Sequence, residues 1–227
     1  MKRIIIFFLT VIIALPLLSQ VRGKIDIPDL KGYVTLKCDF HVHTVFSHDG
    51  SVWPDVRIDE AYHEGLDAIA FTDHIEGWRF KDSLFSSRNR PYEIAQTAAR
   101  DKGIILIKGG EIAYPAPVGE HNVIFSTNAD ELYKRNYMDA FSAAKAQNAF
   151  IFWNHPSLYY LQPDSTQWFP VHTQLLEQGM MHGIEVVNGP YSPEAHRWCL
   201  EKKLTMLGNS DAHQPYNLTF AYRKPKQ

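Results

Sequence analysis

"CDFHVHTVFSHDG", residues 38–50, gathers Asp39, His41, His43, His48 and Asp49 at the end of the strand-like segment "YVTLKCDF". Side chains two apart share one face of a strand, so the spacing predicts that Asp39, His41 and His43 project together. The same spacing recurs in "SDAH", where it pairs Asp211 with His213. Three more apolar runs end on similar groups: "AIAFTDH" on Asp73 and His74, "ILIKGGE" on Glu111, and "FIFWNH" on His155. A lone histidine of this kind is ordinarily a hydrogen-bonded core or loop residue, but repetition at strand ends is not explained that way. Carboxylates and imidazoles buried together without a cation would shift their pKa values or destabilise the fold. A set of divalent metals resolves the conflict.

Outward from these runs, apolar segments alternate with helical patterns such as "PDVRIDEAYHEGL", "PYEIAQTAARDK" and "SPEAHRWCLEKK". This is a β/α sequence with seven predicted strands, whose continuous Ile, Val and Phe content fits parallel strands covered by helices. A small β/α barrel is the economical fold, and the C-terminal edge of such a barrel carries the active site. The chain has 227 residues, 45% hydrophobic and 21% charged, which suits one globular domain and excludes disorder. A formal charge of -2 gives no footprint for nucleic acid. Cys38 and Cys199 have neither zinc nor redox spacing and are expected to be buried singly.

The opening "MKRIIIFFLTVIIALPLLSQ" has a basic start, an apolar run and a polar break. It predicts a signal peptide over 1–22 and a single domain over 23–227, exported to the periplasm or secreted, with no stable membrane insertion once the signal is removed. The rival reading is a membrane anchor.

The ordered set "DFHVHT", "TDH", "GGEI", "GEHNVIF", "WNHP" and "SDAH" resembles the polymerase and histidinol phosphatase (PHP) family of metal-dependent phosphoesterases. The resemblance implies a distorted seven-stranded, TIM-like β/α barrel and two or three divalent ions per chain, zinc, manganese or iron. Carried over by position, one ion would take His41, His43, Glu111 and Asp211. A second would take the carboxylate of "HDG" with His74 and His213. A third would share Glu111 and add His121 and His155. Where family members often have "SDG", this chain has Ser47, His48, Asp49 and Gly50, so the ligand is His48 or Asp49, with Asp49 favoured. Asp39 and Asp73 take the place of groups that orient imidazoles. His63, His172, His182 and His196 are expected at the surface. Arg79, Lys81, Arg88, Arg90 and Arg197 are candidate phosphate contacts, and Trp78, Tyr114, Trp153, Tyr159 and Tyr160 are candidate walls of a leaving-group pocket.

The implied chemistry is hydrolysis of a small-molecule phosphate ester by a hydroxide bridging two metals. The stretches "VFSHDGSVWPDVRIDEAY" and "EIAYPAPVGEHNVIF" look most like an exported branch of the family associated with phosphodiesters. The alternatives are a phosphomonoesterase of histidinol-phosphatase type, a metallohydrolase cleaving an amide or lactone, and a metal-binding barrel without turnover. The chain ends fourteen residues after His213, where family barrels usually continue further. Incomplete closure of the last strand, or a shortened form, is the expectation that follows.

Overall fold

The structure, a computed structural model, describes residues 21–79, 87–158, 161–162 and 166–218. The predicted signal over 1–22 lies almost wholly outside them, as do Lys81, Tyr159 and Tyr160. From Arg22 the chain is tied to the domain: its guanidinium donates to the Leu66 carbonyl at 2.7 Å and to Asp67 at 2.6 Å, while the Gly23 N–H donates to Tyr62 O. No described helix is long and apolar enough to cross a membrane.

Seven strands form one sheet in chain order: β1 (Cys38–Val42), β2 (Ala68–Phe71), β3 (Ile105–Tyr114), β4 (Gly119–Ile124), β5 (Phe150–Trp153), β6 (Gly183–Asn188) and β7 (Thr205–Asn209). Among the described residues five α-helices cover it: α1 (Pro54–Glu64), α2 (Arg90–Lys102), α3 (Tyr137–Ala146), α4 (Pro170–Glu177) and α5 (Pro193–Lys202). Proline opens α1, and Gly65, at φ 82°, ends it in the left-handed conformation that a side chain resists. The sheet curls into a nearly closed barrel. At the seam, β1 and β7 exchange no ladder of their own, and an isolated bridge joins Val42 to Ala212.

One strand departs from the all-parallel expectation: β4 runs antiparallel to both β3 and β5. Only residues 115–118 separate β3 from β4, too few for a crossover helix, so the chain turns back as a hairpin. A second departure decides which side chains meet. In β1, Asp39 and Val42 pair with Ile69 and Phe71 of β2, so β1 spends three steps where β2 spends two. That extra residue breaks the alternation. Asp39 consequently turns away from His41 and His43, contrary to simple period-two reading, and bonds to Ser210 and Tyr216.

Three apolar clusters hold the barrel. Ala70, Ile107, Ile124, Phe152 and Leu207, joined by Phe40 and Phe150, fill its interior at one level. Val42, Ile58, Ile69, Phe71, Ala95 and Ala99 pack β1 and β2 under α1 and α2. The largest lies beneath α3, α4 and α5 around Phe141, Ile151, Trp153, Leu175 and Trp198. His172 belongs here rather than at the surface: it is fully buried, with its ring centroid 3.8 Å from that of Trp153. Burial pushes its pKa down to about 4. The sequence reading mistook it because a histidine at a helix start carries no sign of which face is covered.

Candidate metal centre

Along the strands, interior positions beyond the apolar level are taken by polar side chains, two residues on or, where glycine intervenes, four. Ile107 is followed in this way by Glu111 with Gly109 between, Phe152 by Asn154, and Leu207 by Asn209. On β4, which runs in reverse, the equivalent positions are Asn122 and Glu120. The interior therefore changes from apolar to polar at the strand ends where the histidines stand.

His41 and His43 are both fully buried and their Nε2 atoms face each other at 3.1 Å. Their other nitrogens are committed elsewhere: His41 Nδ1 lies 2.9 Å from Glu185 Oε1, and His43 Nδ1 lies 2.9 Å from Ser47 Oγ. With Nδ1–H of His41 donating to the Glu185 carboxylate, its Nε2 presents a lone pair inward. Asp211 Oδ1 stands 3.1 Å from His41 Nε2 and 3.3 Å from His43 Nε2, and Glu111 approaches the same two atoms at 3.5 and 3.3 Å. Converging lone pairs and carboxylate oxygens repel one another unless a cation or a proton lies between them.

A second group adjoins the first. Asp49 Oδ2 lies 3.1 Å from His213 Nε2 and 3.4 Å from His74 Nε2, while His74 Nδ1 reaches Glu111 Oε2 at 3.1 Å. The His213 ring stacks on His43 with centroids 3.9 Å apart. Gly50 follows because a Cβ there would fall 1.9 Å from the Thr44 carbonyl oxygen. His48, by contrast, is largely exposed, and its Nε2 comes no nearer to Asp49 than 3.7 Å. A third group is formed by His41, Glu111 and His155, with His155 Nε2 at 3.6 Å from Glu111 Oε1. Within each of the sets His41–His43–Asp211, His43–Asp49–His74–His213 and His41–Glu111–His155 the donor atoms lie within 4.8 Å of one another, a span that a divalent ion with ligands near 2.0–2.2 Å can close with small rotations.

The electrostatics follow from this crowding. Burial disfavours charge on Glu111, yet the imidazoles of His41, His74 and His155 outweigh it and hold its carboxyl well below the usual range. His74 is likewise pulled down by burial but carried up to about 9 by Glu111 and Asp49. His43 moves the other way, to about 3, because burial is reinforced by the neighbouring His213 charge. Donors of this kind, hard carboxylate oxygen and borderline imidazole nitrogen, suit zinc, manganese and iron.

Not every predicted residue joins the cluster. His121 lies on the opposite face of β4, buried with its ring 4.9 Å from Phe141 and stacked over Trp153. Its neighbour Glu120 takes the inward place, with Oε2 at 3.5 Å from His155 Nε2. The cause is register: His121 pairs with the outward Ile112 of β3, whereas Asn122, one position on, pairs with Glu111, so alternation puts Glu120 and not His121 on the inner face. Arg197 sits on the exposed side of α5 beside Glu201 at 3.8 Å, away from the cluster. Among the other candidate cations, Arg90 pairs with Glu93, and Arg88 donates to the Ile75 carbonyl and covers the Tyr133 ring. Arg79 donates to the carbonyl of His48, next to Asp49. Trp78 and Trp153 are buried in the packing, and Tyr114 donates its hydroxyl to the Lys134 carbonyl.

The groups that orient the imidazoles also differ from expectation. Asp39 accepts from the Ser210 N–H and hydroxyl and from Tyr216, and so fixes the segment after β7 rather than a ring. Asp73 accepts from Thr44 N–H at 2.6 Å, Thr44 Oγ1 at 2.8 Å and Ser47 N–H at 3.2 Å, and reaches His43 only through Ser47. Glu185 is the direct orienter. Its two oxygens also accept from the Asn209 and Asn188 amides and from the His155 N–H, each at 2.8–2.9 Å. The one signal for it was an acid inside the apolar strand "GIEVVN". Asn154 is a further addition, donating to Glu111 Oε1 at 2.6 Å. Replacing Glu185 with Gln removes the charge facing His41 while keeping the shape. Metal affinity measured by chelator competition is expected to fall by about 10–100-fold, and unchanged affinity would remove Glu185 from the site.

Beside the cluster opens a cavity of about 620 Å³. His155, Glu185 and Asp211 form its inner wall, and Pro156, Ser157, Leu158, Val186, Asn188, Gly189, Pro190 and Ser192 form the remainder.

Comparison with known proteins agrees with this geometry. The PHP domain family matches residues 39–197. No curated protein matches the chain. A solved two-domain protein from Bacteroides vulgatus, containing a predicted PHP-like metal-dependent phosphoesterase, is 52% identical with a TM-score of 0.86. The match covers 88% of this chain but only 58% of that protein, so the chain spans little more than half its length. Two more distant structures share the fold. A putative metal-dependent phosphoesterase from Bifidobacterium adolescentis is 15% identical over 80% of this chain and 89% of its own, with a TM-score of 0.62. An amidohydrolase from Chromobacterium violaceum is 16% identical over the same shares, with a TM-score of 0.56.

Proposed function

The chain belongs to the PHP domain family, and from that premise we propose that it is a metal-dependent phosphoesterase acting on phosphodiesters. His41, His43, Glu111 and Asp211 would hold one divalent ion, and Asp49, His74 and His213 a second. Glu111 would be shared with His41 and His155 toward a third, with the Glu120 carboxylate 3.5 Å from His155 Nε2. Bound there, the ions supply an acidified water as nucleophile and polarise the phosphoryl oxygens. The protein's own part is to fix the donors. Glu185 and Ser47 set the imidazole tautomers, Asn154 steers one oxygen of Glu111, and the Asp73 carboxylate holds the turn that carries Ser47.

The observation that carries the diester reading is the charge of the adjoining cavity. Among the described residues, no Lys or Arg lines it, and its inner wall holds the carboxylates of Glu185 and Asp211. A monoester brings a dianion and calls for a cationic cradle beside the metals. A diester brings one charge less and a second, neutral alcohol that the Pro156, Leu158, Val186 and Pro190 walls can cover. Arg79, held at the His48 carbonyl, remains to meet a phosphate oxygen on the other side. Export of the domain 23–227 after loss of residues 1–22 is part of the same proposal, since it separates the enzyme from cytoplasmic biosynthetic monoesters.

The test compares kcat/KM for bis(p-nitrophenyl) phosphate, p-nitrophenyl phosphate and histidinol phosphate on one metal-loaded preparation. The diester is expected to lead. If the monoesters win by about tenfold, a difference of about 1.4 kcal/mol in transition-state binding, the monoesterase reading takes its place.

A further inference from the structure

The candidate metal centre is split across the seam of the barrel. His43 comes from the end of β1, whereas Asp211 and His213 come from the segment after β7, and β1 and β7 share no strand ladder. Among the described residues, direct backbone bonding there comes down to His43 N–H donating to the Ala212 carbonyl at 3.1 Å, beside the bridge from Val42 to Ala212, and Ser51 N–H donating to the His213 carbonyl at 2.9 Å. Asp211 itself holds φ 53°, in the left-handed region that a non-glycine residue keeps only when its surroundings enforce it. With no ladder across the seam, side chains share in fixing the distance between the two halves: Asp39 holds Ser210 and Tyr216, and Asn209 Oδ1 accepts from Phe40 N–H at 3.0 Å.

We propose that Arg57, a fully buried side chain on α1, is the positioning residue that sets this distance. Its guanidinium donates Nε–H to the carbonyl of His43 at 2.9 Å and Nη2–H to the carbonyl of Ala212 at 2.8 Å. Nη1 donates to the carbonyl of Gln214 at 2.9 Å and to Glu60 Oε2 at 2.7 Å. The first carbonyl belongs to a donor residue, and the other two flank His213. One rigid planar fork thereby spans both sides of the seam. Tyr216 lies over the guanidinium at 5.4 Å, and its hydroxyl donates to Asp39, whose carboxylate also accepts from Ser210. Arg57 touches neither the cavity lining nor any of the imidazole rings or carboxylates facing one another, so it acts through the backbone of the residues it holds. Lysine cannot substitute, because a single ammonium has no fork with which to reach three carbonyls in one plane.

The inference rests on the metal reading, and the experiment separates the two. Apparent affinity for Mn²⁺ and Zn²⁺, each added alone to stripped protein, is measured by indicator competition for the unaltered chain, Arg57→Lys, and Leu175→Ala. The last removes packing from the distant core under α4 and controls for loss of stability. Arg57→Lys is expected to bind at least one metal equivalent tenfold or more weakly, and to lose kcat with little change in KM, while Leu175→Ala keeps the affinity of the unaltered chain. Affinity and kcat in Arg57→Lys equal to those of the control would overturn the proposal while leaving the metal reading intact. Absence of metal uptake by the unaltered chain would overturn both. Should Arg57→Lys not fold, Glu60→Gln is read in the same titration, since it slackens one of the four bonds without emptying the space. Weaker uptake then supports the clamp, and unchanged uptake overturns it.

Discussion

Replacing Glu111 with alanine is expected to lower kcat at least about a hundredfold, the largest loss of any single substitution in the site. Glu111 is the residue on which all the approaches converge: His41, His43, His74 and His155 each lie within 3.1–3.6 Å of one of its oxygens. Its removal leaves those imidazoles without their common counter-charge and takes away the group shared between neighbouring metal positions. Because its carboxyl is held well below the usual range by burial overcome by His41 and His74, Gln is expected to fail almost as badly as Ala. His121→Phe is the contrast. That side chain stands on the far face of β4 among aromatic rings, so kcat is expected to stay within about threefold, no interaction with substrate being lost. Steady-state kinetics at saturating metal decide both. An unimpaired Glu111→Ala, or a His121→Phe as damaged as Glu111→Ala, would contradict the placement of the site.

The second large effect is on stability. Glu111, Asp211, Asp49 and Glu185 are brought among buried imidazoles, and an ion that binds the folded chain alone stabilises it by mass action. At a free metal concentration about a thousand times Kd the gain is about 4 kcal/mol. For a domain of this size that amounts to a rise in Tm of about 10 °C. Thermal denaturation with and without added Mn²⁺ or Zn²⁺, followed by reversal with chelator, checks it. A Tm indifferent to both metal and chelator would mean that the cluster is neutralised by its own protons.

Much of this is legible in the residues, and the departures at Asp39 and His121 share one physical origin. The strand-end positions of Asp73, His74, Glu111 and His155 follow from short apolar runs that end in polar groups, and "SDAH" brings Asp211 and His213 to the same edge. Which face each side chain takes was harder. The extra residue in β1 turns Asp39 out of the row containing His41 and His43, and the register of β4 on β3 brings Glu120, not His121, to His155. Neither a bulge nor a pairing register leaves a mark in hydrophobic alternation. Glu185 and Arg57 were passed over for a different reason. Each is a lone charge within an otherwise ordinary strand or helix pattern, and only tertiary contact shows that one faces an imidazole and the other a seam.

The measurement that tests the account most directly is a titration of stripped protein with Mn²⁺ or Zn²⁺, following hydrolysis of bis(p-nitrophenyl) phosphate and bound metal in the same samples. The account predicts no hydrolysis in chelator, and a rate that climbs with uptake and levels at two or three equivalents per chain. Full hydrolysis in chelator, or saturation of the protein with metal without any hydrolysis of an ester, would contradict it.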